Sequence, residues 1–429
     1  MDQILRRDGI MPSADLVIHS ADIMVTMKGH SDSPACKEGM SEIGLIENGA
    51  VAVRDGKIVA VGSTEEVLAD GWVGPYTVQI NAQGKVVTPG FVDPHTHVIY
   101  AGSRENELSL KLKGVPYLEI LRQGGGIHST VRSTRLASDA EVKSQTRNRL
   151  KTMLSMGTTT AEVKSGYGLT LEEELRMLRL IKELDHEQDL DLVPTFMGAH
   201  AVPSGYTEEE FTDYVVEGML PQVAFKGLAE FCDVFCEPGV FSVQSSERIL
   251  KKARELNLKL KIHADELESA GGAELGAKMG VTSADHLLQA SDQGISALAE
   301  QGVIAVLLPA TSFNLAKNSY ARARTMIEKG VPVAVATDSN PGSSPTESIP
   351  FVLTLACLYL RLTPEEAITA ATINAAYAVG RAHQVGSLEI GKQGDILVLN
   401  VPNLNYLPYH FGNNPVDVVV KNGKIVWRV

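Results

Sequence analysis

Gly90-Phe-Val-Asp-Pro-His95-Thr-His97 is an apolar run that ends in two histidines two residues apart. Residues with that spacing on a strand share a face, so both imidazoles can reach one metal ion from the same side. Taken alone, His-x-His is a weak signal. Its weight comes from the partners further along: His263 in KLKIHADE, His286 in TSADHLL and Asp338 in VAVATDSNPG.

Each of those partners follows a short apolar run that reads as a strand. Leu258–His263 and Val331–Ala336 are two such runs, and Leu192–Phe196 and Val303–Leu308 are two more. Helices separate them, marked by their caps. Thr170-Leu-Glu-Glu173 and Thr363-Pro-Glu-Glu366 have the capping-box layout, and Pro364 stands at the first helical position. A third helix is expected after Ser291, closing at Gly302. Strands alternating with helices predict a parallel sheet, and residues 89–383 suit a (β/α)8 TIM-like barrel. A doubly wound open sheet is the rival, weakened because no Gly-x-Gly-x-x-Gly follows the first strand. His263 to His286 spans one tight β/α unit and His286 to Asp338 spans two, so the candidates close strands 1, 5, 6 and 8. That is the C-terminal rim, where barrel enzymes keep their chemistry. Singly, each is better explained as a satisfied buried histidine or a helix-capping aspartate. Four on one rim are not.

A metal ion on that rim can activate a bound water by lowering its pKa towards neutrality. Glu266, three residues past His263, is expected above such an ion, where a carboxylate of raised pKa can move protons. A helix-start role favoured by the dipole competes with that reading. Glu237, in VFCEPG at the end of the fourth strand, reads as a supporting or structural acid. Of the remaining histidines, His200 in TFMGAH is expected to face the pocket and His128 is left open. His19, His30, His186, His383 and His410 have surface-like or terminal contexts and receive no role.

The chain ends have a different texture. Ala52–Val59 reads as strand, Asp55-Gly56 turn and strand, and Val419–Val426 repeats the layout around Asn422-Gly423. These dipeptides are strong hairpin signals because both central residues accept positive φ. Each end is too short for a sheet core of its own, so residues 1–88 and 384–429 are expected to form one composite β-sandwich domain.

Composition narrows the partners. With 39 Lys and Arg against 52 Asp and Glu, the 429-residue chain carries a formal charge of −13, a poor match for nucleic acid or an anionic membrane. Hydrophobic content of 44% argues against global disorder, and 5% aromatics predict an aliphatic core. Cys36, Cys232, Cys236 and Cys357 are too few for a disulfide framework; Cys232 and Cys236 share one strand face and read as buried. No secretory signal or spanning segment is legible, so a cytoplasmic location is expected.

The constellation resembles the amidohydrolase superfamily of metal-dependent hydrolases, over the whole chain. PGFVDPHTH (89–97), AGSRENE (101–107), GGGI (124–127), GTTTAEVKSGYGL (157–169), FMGAHAVP (196–203), HADE (263–266), ADHL (284–287) and ATDSNPGS (336–343) together are similar to the branch that opens the imidazolone ring in histidine degradation. That resemblance implies one metal ion, zinc or alternatively iron, on His95, His97, His263 and Asp338. It implies Arg104, Tyr167, His200, Glu266, Asn340, Gly342 and Ser343 around a small anionic substrate, 4-imidazolone-5-propanoate. Glu266, His286 and Asp338 would act as catalytic groups, in a homodimer. Arg104 suits a bidentate clamp on the propionate; a surface ion pair with Glu105 or Glu107 is its plain alternative. Binuclear relatives end strand 4 in a carboxylated lysine, where this chain has Glu237, and Lys164 lies in the second-strand region, so a single metal is implied. A mononuclear aminohydrolase of a purine, pyrimidine or related heterocycle is the runner-up, since the same array serves deamination. A metal-binding module without turnover would need neither an open coordination position nor Glu266.

Overall fold

A computed structural model describes residues 13–115 and 125–429. Most of the amino-terminal stretch read for a secretory signal, and Gly124 of the Gly-Gly-Gly run, lie outside the described residues. The first strands are β1 (Leu16–Val25), β2 (Leu45–Arg54), β3 (Lys57–Ser63), β4 (Val78–Asn81) and β5 (Val86–Pro89). Then come β6 (Phe91–Asp93), β7 (Thr158–Lys164), β8 (Asp191–Ala199), β9 (Phe231–Cys236), β10 (Lys259–Ala264), β11 (Ser283–His286), β12 (Ile304–Leu307) and β13 (Val333–Val335). The chain finishes with β14 (Ile396–Leu399), β15 (Val416–Lys421) and β16 (Lys424–Arg428).

Strands from both ends form one eight-stranded sheet, in the order β16-β15-β14-β5-β1-β2-β3 with β4 on β1. The two hairpin turns are as expected: Asp55 and Gly56 have φ of 50° and 74°, Asn422 and Gly423 of 49° and 75°. The sheet curls until these turns meet, with Gly394 between them donating to Gly56 O (2.9 Å) and accepting from Gly423 N (3.0 Å). Leu16, Ile18, Val51, Val53, Ile58, Val87, Ile396, Val398, Val418 and Val420 fill the space it encloses, an aliphatic core drawn from both chain ends. This is the sandwich-like composite unit expected from the termini.

Strands β6 to β13 are all parallel and hydrogen-bonded in sequence order. The ring closes just beyond the regular ladder. Asp338 N donates to His95 O (3.1 Å), His97 N donates to Ser339 O (2.9 Å), and Thr337 Oγ1 donates to Asp93 Oδ2 (2.6 Å). Pro94, with no N–H to donate, ends the first strand's ladder early, so His95 and His97 sit on this closing seam. The seam and the predicted metal ligands coincide.

The anticipated helices are present. Thr170 accepts from Glu173 N at the start of Leu171–Glu187, and Thr363 and Glu366 complete a reciprocal capping box on Pro364–Ala371. Ser291 caps Asp292–Gln301, which closes at Gly302. Cys232 and Cys236 are buried on the outward face of β9. No helix among the described residues is long and apolar enough to cross a membrane.

Candidate metal centre

His95, His97 and His263 are fully or almost fully buried, and one donor nitrogen of each lies within 4.8 Å of the others. Asp338 joins them: its Oδ1 is 3.4 Å from His95 Nε2 and 3.6 Å from His97 Nε2. Its Oδ2 accepts a hydrogen bond from Thr311 Oγ1 (2.6 Å). His286 packs against His263 with ring centroids 5.1 Å apart, and its Nδ1 lies 3.6 Å from Glu266 Oε2.

Backbone conformation decides two of these placements. Asp285 and His286 are consecutive, so regular alternation would send them to opposite faces. His286 takes φ 74°, and Asp338 takes φ 51° just past β13. Left-handed backbone at a residue other than glycine costs of the order of 1–3 kcal/mol and clusters where function requires it. Here it lets Asp285 point into the barrel while His286 turns over its mouth.

The electrostatics fit a cation. Burial pushes His95, His97 and His286 well below the usual imidazole range, which keeps them in the neutral, metal-ligating form. Burial also pushes Asp338 up to about 7, more than Thr311 and the neighbouring His263 offset. His95 Nε2 and His263 Nε2 are buried with no hydrogen-bond partner among the described residues. Orphaned buried nitrogens are costly unless something else satisfies them. A metal ion held by His95, His97, His263 and Asp338 would do so.

The substrate-side candidates divide. Tyr167 and His200 line the same hollow: His200 stacks on His97 with centroids 4.8 Å apart, and Tyr167 lies 5.3 Å from His200. His200 Nδ1 is 3.1 Å from Gly166 O, and burial beside His263 pushes its imidazole down to about 3. Arg104 reaches across to the loop after β13, where its guanidinium occupies the space a side chain at Gly342 would need. Arg104 does pair with Glu107, Nε to Oε1 at 3.0 Å and Nη2 to Oε2 at 2.8 Å, and that pair is largely buried. Glu107 also accepts from Gly126 N (2.8 Å), so it ties the guanidinium to the start of the helix Ile127–Leu136. Asn340 is engaged within its loop, donating to Asp338 O and Ser343 Oγ and accepting from Gly342 N and Ser343 N.

Glu266 is held above its usual carboxyl range by burial. The loop bearing it hangs on Glu237, which accepts from the backbone N–H of Glu266, Leu267 and Glu268 at 3.1, 3.3 and 2.8 Å. Glu237 is therefore a support for Glu266. His128 sits in the first turn of Ile127–Leu136. His30, expected at the surface, is buried, with Nε2 2.9 Å from Glu42 O, because the loop after β1 folds back over it and Tyr377 Oη donates to its carbonyl.

Two residues escaped the reading of the sequence. Asp285 Oδ2 accepts from His95 Nδ1 at 2.6 Å, and Asp233 Oδ2 lies 3.1 Å from His263 Nδ1. The signal was an aspartate at an inward strand position, in the apolar Phe231-Cys-Asp-Val-Phe-Cys236 and beside the candidate His286 in Ser283-Ala-Asp-His286.

Residues 86–426 match the amidohydrolase family, and residues 49–70 match an imidazolonepropionase-like composite domain of bacteria. An imidazolonepropionase of Alkaliphilus metalliredigens is 56% identical over 416 residues, covering 96% of this chain and 98% of its own. One from Geobacillus kaustophilus is 50% identical, covering 96% and 97%. Among solved structures, an adenosine deaminase of Xanthomonas campestris with bound zinc superposes with a TM-score of 0.70 at 21% identity, covering 97% of this chain and 93% of its own. An Aspergillus niger ochratoxinase gives 0.69 at 19%, covering 97% and 96%. At such identities the likeness is one of fold.

Proposed function

Since the chain belongs to the amidohydrolase family, and within it to the imidazolonepropionases, we propose as its reaction the hydrolysis of the cyclic amide of 4-imidazolone-5-propanoate to N-formimidoyl-L-glutamate. The observation that carries it is the set of buried imidazoles of His95, His97 and His263 beside Asp338 on the barrel rim, with His286 and Glu266 paired next to it. The deaminase reading has no better support, since the deaminase likeness is one of fold.

His95, His97, His263 and Asp338 would hold one ion, zinc with iron as the alternative. When bound, it lowers the pKa of a water and polarises the ring carbonyl. Glu266, its carboxyl raised by burial, accepts a proton from the attacking water and delivers it to the ring nitrogen as the amide C–N bond breaks. Asp338 orients the water. His286, kept neutral, presents an N–H to the oxygen on which charge develops. Arg104, aligned by Glu107 over Gly342, takes the propionate carboxylate, with Tyr167 and His200 walling the ring and the 340–343 loop shaping the far side. We further propose residues 89–383 as the catalytic domain, a homodimer as the working form, and the cytoplasm as its place. Exposed Leu358, Tyr359 and Tyr409, on helices that pack together, support an interface between copies.

The test is turnover of imidazolonepropionate, followed by loss of ring absorbance, with metal content measured on the same preparation. Ring opening without ammonia is expected. Release of ammonia would favour the deaminase.

A further inference from the structure

Beneath the metal centre the barrel holds five charged side chains with no solvent exposure: Glu162 and Lys164 from β7, Asp233 from β9, Lys261 from β10 and Asp285 from β11. Lys164 is the hub. Its Nζ lies 2.7 Å from Glu162 Oε2, 2.7 Å from Asp233 Oδ2 and 3.7 Å from Asp285 Oδ2. Lys261 Nζ donates to Pro94 O (2.8 Å), just before His95, and lies 3.2 Å from Glu162 Oε2. The same Asp233 and Asp285 oxygens face His263 Nδ1 and His95 Nδ1.

Such a network is not needed for stability. Buried ion pairs roughly break even against apolar side chains of the same volume, because desolvation offsets the attraction. Its geometry points to the histidines instead. A carboxylate on one ring nitrogen fixes the tautomer and turns the other nitrogen towards the metal. Two such carboxylates in one dry cavity repel each other unless a cation stands between them. The structure also brings donor atoms of His95, Glu162 and Asp285 within 4.8 Å of one another, a second group able to hold a metal.

We propose that Lys164 is a positioning residue whose ammonium acts as a built-in cation: it holds Asp233 and Asp285 against the Nδ1 atoms of His263 and His95, and takes the room a second metal would use. The role rests on the reading that His95, His97, His263 and Asp338 hold one metal. It also gives Lys164, which is not expected to bridge two metals, a place in the site.

The test uses full-length Lys164→Met, stripped by chelator and titrated with zinc against a chromophoric competitor. Metal per chain and the visible spectrum of the cobalt-loaded form are measured too. Expected are a 10–100-fold weaker first zinc and a shifted cobalt spectrum, the range seen when partners of metal-binding histidines are lost. Uptake of a second zinc at His95, Glu162 and Asp285 would also support the proposal. If Lys164→Met misfolds by circular dichroism, Lys164→Met/Glu162→Gln, which removes one charge of each sign, is read the same way for affinity and spectrum. Ile396→Val, in the distant sheet core, controls for general destabilisation and should bind zinc as wild type does. A folded variant with wild-type affinity, stoichiometry and spectrum overturns the proposal alone. A wild-type chain that binds no metal overturns the metal reading, and this role with it.

Discussion

The two β structures of this chain are built on the same alternation and filled in opposite ways. The composite sheet encloses Leu16, Ile18, Val51, Val53, Ile396, Val398, Val418 and Val420, a wholly aliphatic interior. The barrel's inward positions carry Glu162, Lys164, Asp233, Lys261, His263 and Asp285. On β9, Cys232, Val234 and Cys236 face outward to the helices while Asp233 points in, with Phe231 against Lys261 and Phe235 against His263. Apolar burial at roughly 25 cal/mol per Å² stabilises both units. The barrel therefore draws its stability from the strand–helix layer and leaves its interior to chemistry.

That contrast is sharpest at His263. His263→Ala should remove metal and lower kcat/KM by about four orders of magnitude, about 5.5 kcal/mol at 1.36 kcal/mol per decade. Activity that persists after verified metal loss would break the division between a chemical interior and a structural one. Glu266→Gln should keep its metal and lose about 10²–10³ in kcat, the range for a removed proton carrier. Retained kcat would shift that role to His286 or Asp338. For Arg104→Gln the expected change is a KM raised about 10–100-fold with kcat little altered, matching a lost charged hydrogen bond of roughly 1.5–3 kcal/mol. An unchanged KM would dismiss the carboxylate clamp. In the other region, Ile396→Val should cost about 0.5–1.5 kcal/mol in denaturant unfolding and leave both kinetic constants alone. A kinetic effect there would mean that the sheet core reaches the site after all.

Much of this was legible in the residue order. His-x-His at the end of an apolar run, followed by histidines and an aspartate at β/α spacing, pointed to the candidate metal centre and the barrel together, because a parallel barrel gathers the C-terminal ends of its strands on one rim. Asp55-Gly56 and Asn422-Gly423 marked two hairpins, and their similarity implied one sheet. Glu266 was legible through its distance from His263. Arg104, Tyr167 and the 340–343 loop were legible by resemblance, since nothing in their spacing says that they converge. Asp233 and Asp285 were overlooked because a single aspartate in an apolar strand looks like an exception until its facing strand is known.

The residue order by itself determined which strands exist, their parallel succession and the identity of the candidate ligands, since these depend on local periodicity and chemical type. Tertiary structure alone decided the rest. It set Lys164 between two carboxylates from β9 and β11, made Glu237 the anchor of the Glu266 loop, and laid Arg104 over Gly342. It also turned His286 into the mouth through left-handed backbone directly after an inward Asp285. Each of these depends on distances between residues far apart in the chain, and closure of the barrel is what fixes such distances.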